Sequence, residues 1–279
     1  MSTVFPFKHC DNRVIAETIL KKLSAADGEP IQYRLHTEKG VVLLNDFIGR
    51  QMTIEFSGNI FCKSCGRQTK KSFSQGFCYP CFRSAPEASP CIIRPELCEA
   101  HLGKGRDVEW EQTYHNQPHV VYLAASSAIK VGVTQASNIP TRWIDQGASS
   151  AAIIARTPHR QIAGLIEVEL KKRFTDKTHW QKMLRNDVLK EVDFQESFTT
   201  ALDSIPGQLR DYLCLGNSVF KGCYPVLEYP DKIVSFNQEK ATSISGVLKG
   251  IKGQYLIFDA GRVINIRKYQ GYEVRVEQK

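Results

Sequence analysis

Apolar positions recur with two different periods along the chain. Val14, Ile15, Ile19, Leu20 and Leu23 fall at helical spacing and predict a short amphipathic helix ahead of the Asp27-Gly28 turn. The period then shortens to two. Ile31, Tyr33 and Leu35 alternate, Val41 to Leu44 form an apolar run, and Met52, Ile54 and Phe56 alternate before Gly58, which predicts strands. Farther on, 119–124 reads as a buried strand and 128–134 as its hairpin partner, with a helix beginning near 139–144 after Asn138-Ile-Pro. Ile162, Leu165, Ile166, Leu170 and Phe174 form one face of a helix over 161–174, with Lys171, Lys172 and Arg173 toward solvent. Met183 to Val192, and Phe198 to Ile205 ending at Pro206-Gly207, predict two further helices. From Tyr224 the pattern is β again. The stretches 255–258, 263–266 and 272–276, punctuated by Gly253, Gly261 and Gly271, suggest a small barrel or curled sheet.

These rhythms predict an α+β fold with β-rich N- and C-terminal regions. They divide the chain into an N-terminal helix and β region (1–60), a cysteine-rich stretch (61–117), a mixed α/β core with following helices (118–220) and a small β domain (221–279). A chain of 279 residues can bury a sizeable core without disulfides. No segment approaches the ~20 apolar residues needed to cross a bilayer, so the expectation is a cytoplasmic protein with no membrane partner. The formal net charge of +8 favours an anionic partner, because clustered Lys and Arg gain affinity by releasing counterions from phosphates. The pattern leaves oligomeric state open.

Nine cysteines are an odd number, and four of them, Cys62, Cys65, Cys78 and Cys81, stand in two Cys-x-x-Cys pairs. That spacing lets two tight turns close a thiolate cage, so a zinc ribbon with a structural zinc ion is expected. Around it Lys63, Arg67, Lys70, Lys71 and Arg83 are interleaved with Phe73, Phe77, Tyr79 and Phe82, and no acid intervenes between Phe61 and Pro86. Cations and rings on a rigid knuckle suit phosphates and unstacked bases. They equally suit a small ribbon that must cover its metal and stay soluble. Cys91, Cys98, His101 and His115 could form a second zinc cluster, with His9-Cys10 as an added source of ligands, while Cys10, Cys214 and Cys223 read as structural thiols. In the C-terminal region Lys249, Lys252, Arg262, Arg267, Lys268 and Arg275 make the predicted barrel basic, which fits either a single-strand binder or solvated strand faces.

Phrases such as CIIRPELCEAHLGKGRD, KVGVT, TRWIDQGA and DKTHWQKML are similar to a bacterial family known only as domain of unknown function 2797, across the whole chain. Val121-Tyr122, the Lys130 to Thr134 stretch, Arg142, and Ala163 with Glu167, Leu170 and Phe174 resemble, over about a third of the chain, the GIY-YIG nucleases of the phage type that reads Lys-Ile-Gly. The first motif has Val120 in place of its glycine, Lys130 stands where many relatives place tyrosine, and Asn186 is a weak counterpart of the late asparagine.

The resemblance implies a metal-dependent phosphodiesterase. In it Glu167 would hold Mg or Mn, Arg142 would neutralise the phosphoryl group, Tyr122 with Lys130 would orient or deprotonate water, and Gly132 would admit the substrate backbone. In the competing reading Tyr122 packs in the sheet, Arg142 pairs with Asp145 or a helix end, and Glu167 pairs with Lys171. Three functions follow: a nuclease acting on DNA or RNA, a binding module for RNA or single strands, and a zinc-stabilised protein-interaction adaptor.

Overall fold

Residues 13–175 and 179–279 are described by a computed structural model. His9 and Cys10, and the Asp176 to Thr178 start of the DKTHWQKML phrase, lie outside the described residues. The chain opens with strands β1 (Arg13–Ile19), β2 (Ser24–Ala26), β3 (Gln32–Thr37), β4 (Gly40–Leu43) and β5 (Gln51–Ile60), then the short helix α1 (Tyr79–Ser84). Short 3-10 turns lead through 86–102 to α2 (Val108–Tyr114). Next come β6 (His119–Ala125), β7 (Ile129–Gln135), α3 (Thr141–Asp145), β8 (Ser150–Thr157) and α4 (Arg160–Leu170). Helices α5 (Trp180–Leu184), α6 (Phe194–Ser204) and α7 (Gly207–Arg210) precede β9 (Phe220–Lys221), β10 (Val234–Ser235), β11 (Ser243–Lys252), β12 (Tyr255–Phe258), β13 (Arg262–Asn265) and β14 (Tyr272–Gln278). The fold is α+β. Among the described residues no helix is long and apolar enough to cross a membrane.

The expected helix over 14–23 is a strand. β1 pairs antiparallel with β14, Ala16 opposite Val276 and Thr18 opposite Val274, and its burial alternates through Ala16 and Thr18. A partner more than 250 positions away imposed period two on a segment whose local spacing favoured a helix. The expected helix over 183–192 is confined to α5, which ends at Leu184.

Segments 1–60 and 221–279, read as separate β regions, supply strands to one seven-stranded sheet ordered β1-β14-β5-β11-β12-β13-β10. A three-stranded sheet, β2-β3-β4, adds Tyr33 and Leu35 to the same core. The central unit is a four-stranded sheet ordered β7-β6-β8-β9. Its two faces have different neighbours. Tyr122 and Ala124 of β6 join the large core with Trp143 and Ile144 of α3, whereas Val121 and Leu123, pointing the other way, pack with Ala163, Ile166 and Leu170 of α4. Buried Asp145 ties the units together, accepting from Lys22 at 2.9 Å and from Gln254 at 2.8 Å, while Gln254 also bonds both backbone groups of Leu23.

Candidate metal centres

The ribbon quartet forms because its two turns present sulfur toward one point. Cys62, Cys65, Cys78 and Cys81 place their Sγ atoms within 4.8 Å of one another. Cys65 and Cys78 stand 3.8 Å apart, far too long for a disulfide and equal to the ~3.8 Å edge of a thiolate tetrahedron built on 2.3 Å metal–sulfur bonds. Burial raises the proton affinity of Cys62, but the backbone N–H groups of Cys65, Cys78 and Ser64 outweigh it and bring its thiol down to about 6. Burial together with the neighbouring sulfurs pushes Cys81 up to about 12. Two thiols of one cluster pushed in opposite directions, Cys62 down and Cys81 up, are the electrostatic counterpart of a cation site. The donor set could hold a metal ion, and its four-sulfur chemistry fits zinc.

The five ribbon cations, Lys63, Arg67, Lys70, Lys71 and Arg83, are all exposed. Their rings divide between two tasks. Phe77 is buried beneath the Lys63 ammonium, 4.1 Å from the ring centre, and Phe73 packs on Phe82 and Tyr79 at 6.1 and 5.4 Å while Tyr79 stays exposed. So Phe77 covers the metal turn and Tyr79 faces outward.

A second quartet lies beyond the ribbon. Cys91, Cys98, Glu111 and His115 are all buried, with one ligand atom each inside a 4.8 Å cluster. Cys91 Sγ is 3.7 Å from His115 Nδ1, which lies 2.5 Å from Glu111 Oε2. His101 was expected here and is not a member. Its ring stacks on that of His159, with centroids 4.3 Å apart and planes parallel to within 1°. The fourth donor is Glu111, because α2 brings Glu111 and His115, four positions apart, onto one face. The hydrogen bond from Cys98, with His115 and Ser89 adding to it, holds the Cys91 thiol down at about 4, and Cys98 is pushed up in return.

The nuclease-like positions are distributed over both faces of the central sheet. Tyr122 is fully buried, and its phenol oxygen accepts from Arg142 Nε at 3.3 Å and Gln146 Nε2 at 2.5 Å. Lys130 shares that face, since it is opposite Ala124 as Gly132 is opposite Tyr122. Burial, then the Arg142 guanidinium, lowers Lys130 to about 8, and burial followed by Arg142 also lowers Arg267. Glu167 lies on α4, which packs on the other face. Its carboxylate pairs with Lys171 at 3.2 Å, and burial raises its proton affinity while Lys171 and Arg160 oppose the rise.

Gly132 has a different task from the one the nuclease motif suggested. A Cβ there would stand 2.5 Å from the Tyr122 phenol oxygen, so the space above this glycine is filled by the tyrosine ring rather than held open for a substrate backbone. Asn186 accepts from the buried Lys252 ammonium at 3.0 Å. Asp145 pairs with Lys22 and Gln254, leaving Arg142 to Tyr122.

One member of this second cluster is not among the expected residues: Glu111 was signalled only by its i,i+4 relation to His115 next to the Asp107 helix cap.

The sequence matches, over residues 49–274, the family described as protein of unknown function (DUF2797). No curated protein and no solved structure matches the chain.

Proposed function

The chain belongs to the DUF2797 family, and we propose that it is a zinc-containing nucleic-acid-binding protein whose ribbon grips single-stranded DNA or RNA. The observation that carries this reading is the exposure of all five ribbon cations around a preorganised thiolate quartet, with Tyr79 available for stacking. Lys63, Arg267, Arg142 and Lys130 extend the positive field inward: burial first, then Arg267, lowers Lys63, and burial first, then Arg142, lowers both Arg267 and Lys130. Such a series favours a polyanion because each phosphate relieves repulsion already present.

Binding without cleavage is the better-supported form of this proposal. In a nuclease of the resembled type, Glu167 would hold Mg or Mn beside Tyr122 and Arg142. The pairing of Glu167 with Lys171, on a helix that covers the opposite sheet face, supports a scaffold instead. The test is fluorescence anisotropy with a single-stranded oligonucleotide across a salt series. Five cations engaged with a single strand give a log–log slope of about −3.5, and the Lys70→Glu/Lys71→Glu variant makes it shallower by about 1.4. Absence of binding at low salt defeats the proposal. Cleavage in Mg or Mn that disappears in Glu167→Ala would favour the nuclease form.

A further inference from the structure

We infer that Cys91, Cys98, Glu111 and His115 bind a second zinc ion, separate from the ribbon's, and that this ion fixes the start of α4 through Arg160. The inference is independent of any nucleic-acid partner. Two thiolates, an imidazole and a carboxylate form a closed set of four protein donors, the number that structural zinc takes, and the thiolate pair disfavours Mg and Ca.

The pocket is built for these groups. Pro90 and Pro95 open the 3-10 turns that carry the two cysteines inward, and Asp107 caps α2 by accepting from the Trp110 N–H at 3.0 Å. The Glu111 carboxylate fills the space over Gly105, where a Cβ would lie 2.4 Å from its Cγ. Glu111 Oε2 lies 2.5 Å from His115 Nδ1, so the carboxylate and the imidazole converge on the same point as the two sulfurs.

The link to α4 runs through the main chain of two ligands. Arg160, the first residue of α4, donates its backbone N–H to His115 O at 3.0 Å. Its guanidinium donates twice to Cys91 O, at 3.1 and 3.0 Å, and once to Ile92 O at 3.0 Å. One turn on, Gly164 lies directly against Pro95 and Glu96. Arg160, Gly164, Glu167 and Lys171 thus form a stripe beside the stripe of Ala163, Ile166 and Leu170 that grips the sheet. A metal that fixes the positions of Cys91 and His115 fixes where Arg160 docks.

The experiment measures zinc per chain in the purified full-length protein by elemental mass spectrometry. The expected content is two in the wild type and in His101→Ala, and one in His115→Ala and in Cys98→Ser. A wild-type content of one, or a second metal other than zinc, overturns the site, and this measurement stands even where a variant fails to fold. Hydrogen exchange over 160–170 then reads the link. Because hydrogen bonds from a charged donor depend on the ligand turns, α4 amides should exchange roughly tenfold faster in His115→Ala at equal protein concentration, and not in Cys78→Ser. Unchanged α4 exchange in His115→Ala with the second zinc lost would overturn the role assigned to Arg160.

Discussion

Gly164→Ala sets two effects of opposite sign against each other. In an exposed helix interior the change would stabilise by about 1 kcal/mol through helix propensity. At this position the added Cβ would stand 2.2 Å from Glu96 N, 2.4 Å from Pro95 C and 2.8 Å from Glu96 Cα. Ordinary contact begins near 3.4 Å, so the turn carrying Pro95 and Glu96 must retreat by about 1.2 Å, the difference between 3.4 and 2.2. The colliding atoms are backbone, with no side-chain rotation to relieve them, which places the strain at the upper end of the 1–3 kcal/mol typical of overpacking. Net destabilisation should be about 2 kcal/mol. For a chain of 279 residues that lowers the thermal midpoint by about 3–4 °C, measured by circular dichroism with zinc present. An unchanged or raised midpoint would refute the tight seat between α4 and the 95–97 turn.

Three other outcomes follow from particular contacts. Lys252 is 1% exposed and burial lowers its ammonium to about 8, so between pH 8 and the ordinary 10.5 the unfolded chain holds more protons than the folded one and stability rises with pH. Lys252→Met should make that rise shallower in thermal melts, the remainder belonging to Lys130, and, after loss of the Asn186 hydrogen bond, be more stable at pH 7 by about 1–2 kcal/mol; an undiminished rise would contradict the assignment. Gly132→Ala should cost about 1–3 kcal/mol in urea because its Cβ meets the Tyr122 ring, and much less when Tyr122 is replaced by Leu, with additive costs counting against the contact. Chelation should expose 61–85 to limited proteolysis while the central sheet stays protected, because besides Cys62 and Cys78 this stretch buries only the side chains of Phe77 and Ala85; uniform digestion would argue against a separate metal-held unit.

The sequence by itself determined whatever is encoded within a few residues. Two Cys-x-x-Cys turns bring four sulfurs together whatever surrounds them, the apolar stripe of α4 and the alternation of β3 and β5 declare their own buried faces, and the continuous apolar run of β6 declares a strand buried on both sides. The tertiary structure decided what depends on distant partners. It turned 13–19 into a strand by supplying β14, joined both ends of the chain in one sheet, and exchanged His101 for Glu111 by setting α2 against the turns that hold Cys91 and Cys98. It also put Tyr122 and Glu167 on different sides of a layer that their order in sequence does not reveal. The reason is one of range: turn geometry and periodicity act over a single turn or pleat, whereas strand partners and ligand sets are chosen by the burial of surfaces far apart along the chain.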